Sequence, residues 1–155
     1  MELDERQKSD GGKEIVSFRL GEEEFGVEIM SVREIRGWSK ATPLPHSPPY
    51  VRGVINLRGA VLPVIDLNQR FGEAPSDPSS RHVVIVVQVE NAQFGLLVDA
   101  VSDILHVTQE DLQDTPDVAT GEARAFIRHL VALDDRMIRL IALESIFTPM
   151  TAEAA

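Results

Sequence analysis

Four histidines, His46, His82, His106 and His129, and two groups of carboxylates, Glu22-Glu23-Glu24 and Asp99 with Asp103, are the side chains that could hold a metal or move a proton. The histidines are scattered, with none at metal-ligand spacing. The three glutamates follow Gly21 in a turn, where consecutive side chains point in different directions, so they read as a solvated turn rather than a cage. Asp99 and Asp103, four residues apart, could pair only on a helix, where that spacing makes side chains neighbours, and their segment reads as strand. No serine stands in a nucleophile-elbow context, and no glycine-rich loop is available for phosphate. The absence of cysteine removes thiolate nucleophiles, disulfides and cysteine-ligated zinc together, and it fits a reducing cytoplasm. These residues point away from an enzyme, and no metal or cofactor is expected.

One side chain is left over. Tyr50 to Leu67 reads as two apolar strands, Val54 to Leu57 and Ala60 to Leu67, turned back at Arg58-Gly59, where glycine supplies the positive φ of a tight hairpin. A hairpin so apolar is expected to be buried on both faces. Its tip holds the Arg58 guanidinium with no carboxylate beside it in sequence. Arg58 reads either as a surface arginine at a turn or as a contact residue for a partner.

With 155 residues the chain suits one domain, or two very small ones sharing a core, and can bury roughly 70% of its unfolded surface. No apolar run reaches the roughly 18 residues of a membrane span, and Met1 to Lys13 is too polar for a signal peptide. A soluble cytoplasmic protein is expected. Its net charge of −10, from 25 acidic and 15 basic residues, repels nucleic acid and anionic lipid. A single tryptophan, Trp38, and a single tyrosine, Tyr50, leave little for base stacking.

Along the chain, residues 1–13 form an expected disordered leader and 148–155 a tail. Glu14 to Leu20 and Phe25 to Ile29 read as strands around a turn at Gly21 to Glu24. Met30 to Gly37 mixes a short helical turn with a strand. Ser39 to Pro49, with four prolines, excludes regular helix and central strand, and Pro48-Pro49 could open one helical turn toward Gly53. Asp66 can cap a single turn, Leu67 to Phe71, ending at Gly72. Residues 73–81 are the loop between two approximate halves, 14–72 and 82–147, of one domain, with strands able to exchange between them. His82 to Val89 and Phe94 to Val98 are strands around a polar turn at 90–93. Thr108 and Asp111 match a capping box, 114–121 is irregular, 123–133 is apolar, and Arg136 to Leu143 is the last strand.

The halves repeat. A shift of 69 lays Phe25-Gly26 on Phe94-Gly95, Val32 on Val101, Glu34 on Asp103 and Ile35 on Ile104. A shift of 76 lays Tyr50-Val51-Arg52 on Phe126-Ile127-Arg128, Leu57 on Leu133, Val64-Ile65 on Leu140-Ile141 and Phe71 on Phe147. About five short strands per half imply an all-β chain of two small antiparallel barrels packed together, with a few short helices. The halves diverge at the hairpin tip: Asn56-Leu57-Arg58-Gly59 in one, Ala132-Leu133-Asp134-Asp135 in the other. That divergence suggests tips facing different neighbours.

Phe25-Gly26-Val27-Glu28-Ile29, Val32 to Gly37, Val51-Arg52-Gly53-Val54-Ile55-Asn56-Leu57-Arg58-Gly59, Leu62 to Leu67 and Gly95 to Ile104 together resemble the CheW family of chemotaxis coupling proteins. The resemblance runs from about Glu14 to Phe147. It implies two pseudo-symmetric SH3-like five-stranded barrels around a shared core. It also implies a non-enzymatic adaptor that couples the cytoplasmic signalling domains of chemoreceptors to the regulatory domain of the histidine kinase CheA, recruited from the cytoplasm to membrane-associated receptor arrays. The alternative is the same scaffold in a chemosensory pathway other than chemotaxis. Family positions implicated in receptor or kinase contact fall on Val32, Glu34, Gly53, Arg58, Val83 and Ile104. Val32, Val83 and Ile104 read equally as core, and Glu34 as the partner of an internal ion pair with Arg58 or Arg36.

Overall fold

The computed structural model describes residues 12–114 and 125–147. The strands are β1 (Lys13–Leu20), β2 (Glu23–Glu28), β3 (Val32–Gly37), β4 (Val51–Leu57), β5 (Ala60–Asp66), β6 (Val83–Val89), β7 (Ala92–Val98), β8 (Ala100–Val107), β9 (Leu112–Gln113), β10 (Ile127–Leu133) and β11 (Arg136–Ile141). One helical turn, α1 (Leu67–Arg70), follows β5, and 3-10 turns stand at Ile29–Ser31, Gln109–Asp111 and Leu143–Ser145. Most of the expected leader, residues 1–11, lies outside the described residues, as do the tail and most of the irregular 114–121 connection. Lys13, placed by the sequence at the end of the leader, already pairs with Val107 in β1.

Two sheets form, a six-stranded one in the order β8-β1-β2-β11-β10-β9 and a five-stranded one in the order β3-β6-β7-β5-β4. Each curls into a barrel because its two edges are nearly consecutive pieces of chain. β8 and β9 are separated only by one 3-10 turn. In the other sheet Thr42, just past β3, bridges to Val54 of β4. The halves do not each close a barrel of their own. β1 and β2 of the first half join β8, β10 and β11 of the second, while β6 and β7 join β3, β4 and β5. The halves meet at two parallel pairs, β2 with β11 and β7 with β5, and at two antiparallel ones, β1 with β8 and β3 with β6.

The repeat holds at the level of register. Val16↔Ile104 and Ser17↔Asp103 in β1–β8 answer Ile85↔Ile35 and Val86↔Glu34 in β6–β3, and Gly26↔Leu140 answers Gly95↔Val64. Even the irregularities match, between Ser17 and Phe18 on one side and between Val32 and Glu34 on the other.

Central strands are apolar on both faces because each lines two cores. One cluster, Ile15, Val107, Val131, Ile138 and Leu140, fills the six-stranded barrel. A second, including Leu57, Leu62, Val64, Val84, Val86 and Leu97, fills the five-stranded one. The largest lies between them and includes Phe18, Phe25, Ile65, Phe71, Ile85, Phe94 and Phe126. Phe25 stacks on Phe71 at 5.3 Å, and their counterparts Phe94 and Phe147 meet at 5.5 Å.

Three local expectations change. Pro48-Pro49 do open a single hydrogen-bonded turn, the Val51 amide donating to the Pro48 carbonyl at 3.0 Å, but β4 begins at Val51, so the turn is not helical and ends before Gly53. Asn91 alone separates Glu90 from β7, so the turn after β6 is tighter than 90–93. The β4–β5 hairpin is not buried on both faces. Its outer face is covered at Ile65, yet Asn56, Ala60 and Val61 near the tip are exposed, because the neighbouring barrel ends before the hairpin does.

Candidate partner-binding surfaces

The β4–β5 hairpin turns through Arg58 and Gly59, both at positive φ (51° and 88°), the mirror-image two-residue turn whose twist suits a hairpin. The Asn56 carboxamide oxygen accepts the Gly59 amide at 2.9 Å and steadies the turn. Arg58 therefore carries the strained φ beside the glycine, and its counterpart Asp134 does the same at 53°. From the tip the Arg58 guanidinium donates to Glu34 on β3, Nη2 to Oε1 at 2.6 Å, and Arg36 stands 3.7 Å from the other carboxylate oxygen. The Arg58 side chain is 77% exposed and that of Glu34 26%. Hydrogen bonding from Arg58, helped by the charges of Arg58 and Arg36, holds the Glu34 carboxyl below its ordinary range.

The other family positions spread out. Val32 opens β3 half-buried and packs on the core between the barrels. Val83 packs on the same core but stands opposite Gly37, at the other end of the β3–β6 ladder. Gly53 is buried at φ 148°, and a Cβ there would fall on the Thr42 carbonyl oxygen, so its place in the fold is to let the Thr42–Val54 bridge approach. Ile104 belongs to the other barrel, 57% exposed on β8. Of the six, only Glu34 and Arg58 touch through their side chains.

Among the described residues, four of the six exposed large apolar residues follow the repeat, while Met30 (81%) and Leu44 (46%) stand outside it. Ile35 (44%) and Ile104 (57%) are counterparts under the shift of 69, and Val61 (64%) and Met137 (47%) under the shift of 76. Each barrel thus shows solvent the same two apolar positions, beside the hairpin tip and on the third strand of the repeat.

A second charged cluster went unread in the sequence. Arg136 at the start of β11 forks onto Glu24 of β2, Nη2 to Oε2 at 2.5 Å and Nε to Oε1 at 3.1 Å, and reaches both Asp103 oxygens at 3.2 and 3.3 Å. Fully buried Ser17 donates to Asp103 Oδ1 at 2.5 Å, and its hydroxyl oxygen accepts the Asp103 amide at 3.2 Å. Arg136, then Ser17, keep the Asp103 carboxyl below its ordinary range, and the two carboxylates raise Arg136 further. One signal was available: Ser17 is the lone hydroxyl within the apolar run Ile15 to Phe18. Glu24, read as part of a solvated turn, belongs to this cluster.

The model of the CheW-like domain matches residues 14–149. The chain belongs to the CheW-like domain family. It is 58% identical over 145 residues to the probable chemotaxis protein CheW of Rhizobium etli, covering 94% of each chain. It is 54% identical over 147 residues to the chemotaxis protein CheW of Rhizobium meliloti, covering 95% of each. A solved structure, the scaffolding protein TtCheW from Thermoanaerobacter tengcongensis, superposes with a TM-score of 0.81 at 36% identity, over 88% of this chain and 93% of that one. CheW-like membership agrees with the paired barrels and the Gly53 to Gly59 hairpin described above.

Proposed function

We propose that this chain is a non-enzymatic adaptor that couples chemoreceptor signalling domains to the histidine kinase CheA and helps assemble their array. The observation that carries the reading is the repetition of exposed apolar positions on both barrels, Ile35 with Ile104 and Val61 with Met137. A bridging molecule needs two surfaces, and apolar area with a charged rim is what docking surfaces use for affinity and register. The relatives named chemotaxis protein CheW, and the solved relative described as a scaffolding protein, support it. In this reading the contact residues are Val32, Glu34, Gly53, Arg58, Val83 and Ile104. Arg58 and Glu34 fix register, Ile104 contributes apolar area, and Val32, Val83 and Gly53 act from beneath by shaping the strands. The adaptor works in the cytoplasm, at the membrane-associated array.

The test is reconstitution with a receptor signalling domain and the kinase. Arg58→Glu places two acids face to face at the tip and should lower receptor-dependent kinase activation on the order of tenfold, with the melting temperature near that of wild type. Activation equal to wild type would remove Arg58 from the contact surface.

A further inference from the structure

Each barrel has a seam where the third strand of one repeat faces the last hairpin of the same repeat without a continuous backbone ladder among the described residues. One guanidinium crosses each seam. In the five-stranded barrel it is Arg58, reaching Glu34 from an open tip. In the six-stranded barrel it is Arg136, and there the closure is different in kind. Arg136 is tied at the same time to Asp103 on β8 and Glu24 on β2, while Ser17 on β1 holds Asp103 from the far side. Four strands, β11, β2, β1 and β8, meet in this one cluster. Its Glu24 side chain is only 14% exposed, which shields the Arg136–Glu24 arm from the screening that weakens ion pairs in open solvent, while the Asp103 side chain is 46% exposed and is held by Ser17 as well as by Arg136.

What the cluster holds is the outer strand of that sheet. Among the described residues β8 pairs with β1 alone, and the pairing slips between Ser17 and Phe18, opposite the stretch that carries Asp103. A slipped outer strand is where a ladder frays first. The residue after the clamped Asp103 is Ile104, the exposed apolar residue of this edge. We propose that Arg136 is a positioning residue for the partner surface of the six-stranded barrel: by pinning Asp103 across the seam it fixes the β8 edge and presents Ile104 in one orientation. The proposal rests on the reading of Ile104 as a contact residue. It assigns to Arg136, Ser17 and Glu24 a part in assembly that acts through β8, without their touching the partner.

The experiment measures binding of full-length variants to two probes, a chemoreceptor cytoplasmic signalling domain and the kinase regulatory domain, alongside amide exchange of β8. Ile104→Asp first identifies which probe uses this edge. Arg136→Gln should then weaken that same probe on the order of fivefold, leave the other near wild type, and speed exchange at Asp103, Ile104 and Leu105 about tenfold. Arg136→Lys, which keeps one charge without the fork, should recover part of both effects. Asp103→Asn, nearly the same size, should shift both the same way and less, and it serves if Arg136→Gln fails to fold. If Ile104→Asp weakens a probe but neither Arg136→Gln nor Asp103→Asn does, or if β8 exchange stays at the wild-type rate, the positioning role is wrong while the contact reading stands. If Ile104→Asp weakens neither probe, the contact reading of Ile104 falls, and the positioning role falls with it.

Discussion

Glu34 and Asp103 occupy equivalent places in the repeat, yet their carboxylates are held in opposite ways. Asp103 stands across from Ser17 and is gripped by its hydroxyl; Glu34 stands across from Val86, which has nothing to offer, and goes out to Arg58 at the tip. Each carboxylate also meets an arginine, but the Arg58 side chain is 77% exposed and that of Arg136 33%, and only Asp103 has a hydroxyl beneath it.

Ser17→Val makes the two sites alike. The Asp103 carboxylate loses a donor and its amide an acceptor, which should cost about 1–2 kcal/mol of unfolding free energy. Urea denaturation measures it as a lower midpoint with an unchanged slope.

The same two carboxylates set an acid dependence. Both are held below their ordinary range in the fold, so the native state binds fewer protons than the unfolded chain wherever pH lies between the two values. Their stabilisation is complete above the unfolded carboxyl values of about 4 and is lost as pH falls through the lower native values. Denaturation midpoints followed from pH 6 to pH 2 should therefore drop in the acid arm. Asp103→Asn, with no proton to gain there, should show a shallower drop.

Gly53→Ala should destabilise without touching any exposed group. The positive φ disfavours a side chain, and the added methyl would fall on the Thr42 carbonyl, so a loss of about 2–3 kcal/mol is expected. Thermal unfolding reads the loss. A partner-binding defect in this variant should shrink when binding is measured well below its melting point.

Phe71→Ala opens the core between the barrels at its stacked end, beside Phe25 and Phe126. The expected cost is about 3–5 kcal/mol, seen as a fall in melting temperature. Both barrels should lose protection together, since the cluster draws on strands from each.

Much of this fold was legible because its elements are short and apolar at local scale. The run Ile85 to Val87 reads as strand whatever it pairs with, and Asp66 before Leu67 reads as a cap; its carboxylate does accept the Gln69 amide, at 3.4 Å. The repeat was visible because Phe25-Gly26 and Phe94-Gly95 face equivalent neighbours. Which strands join was not visible, since a β-strand names no partner in its own residues. Nothing in Val32 to Gly37 announces that it pairs with β6, fifty residues on. The Arg58 surface could be read because an isolated cation breaks an apolar pattern. The Arg136 cluster could not, because Ser17, Glu24, Asp103 and Arg136 come together only after the sheets have formed.

The interleaving of strands has a consequence for half the chain taken by itself. A chain carrying one repeat alone would hold two strands of one sheet and three of another, and could complete neither except by trading with a twin. Such a half-chain, if it folded, would do so as an intertwined homodimer. Carrying both copies in one chain makes that closure independent of concentration. In one chain the two hairpin tips need not be identical, and one carries Arg58 while the other carries Asp134 and Asp135.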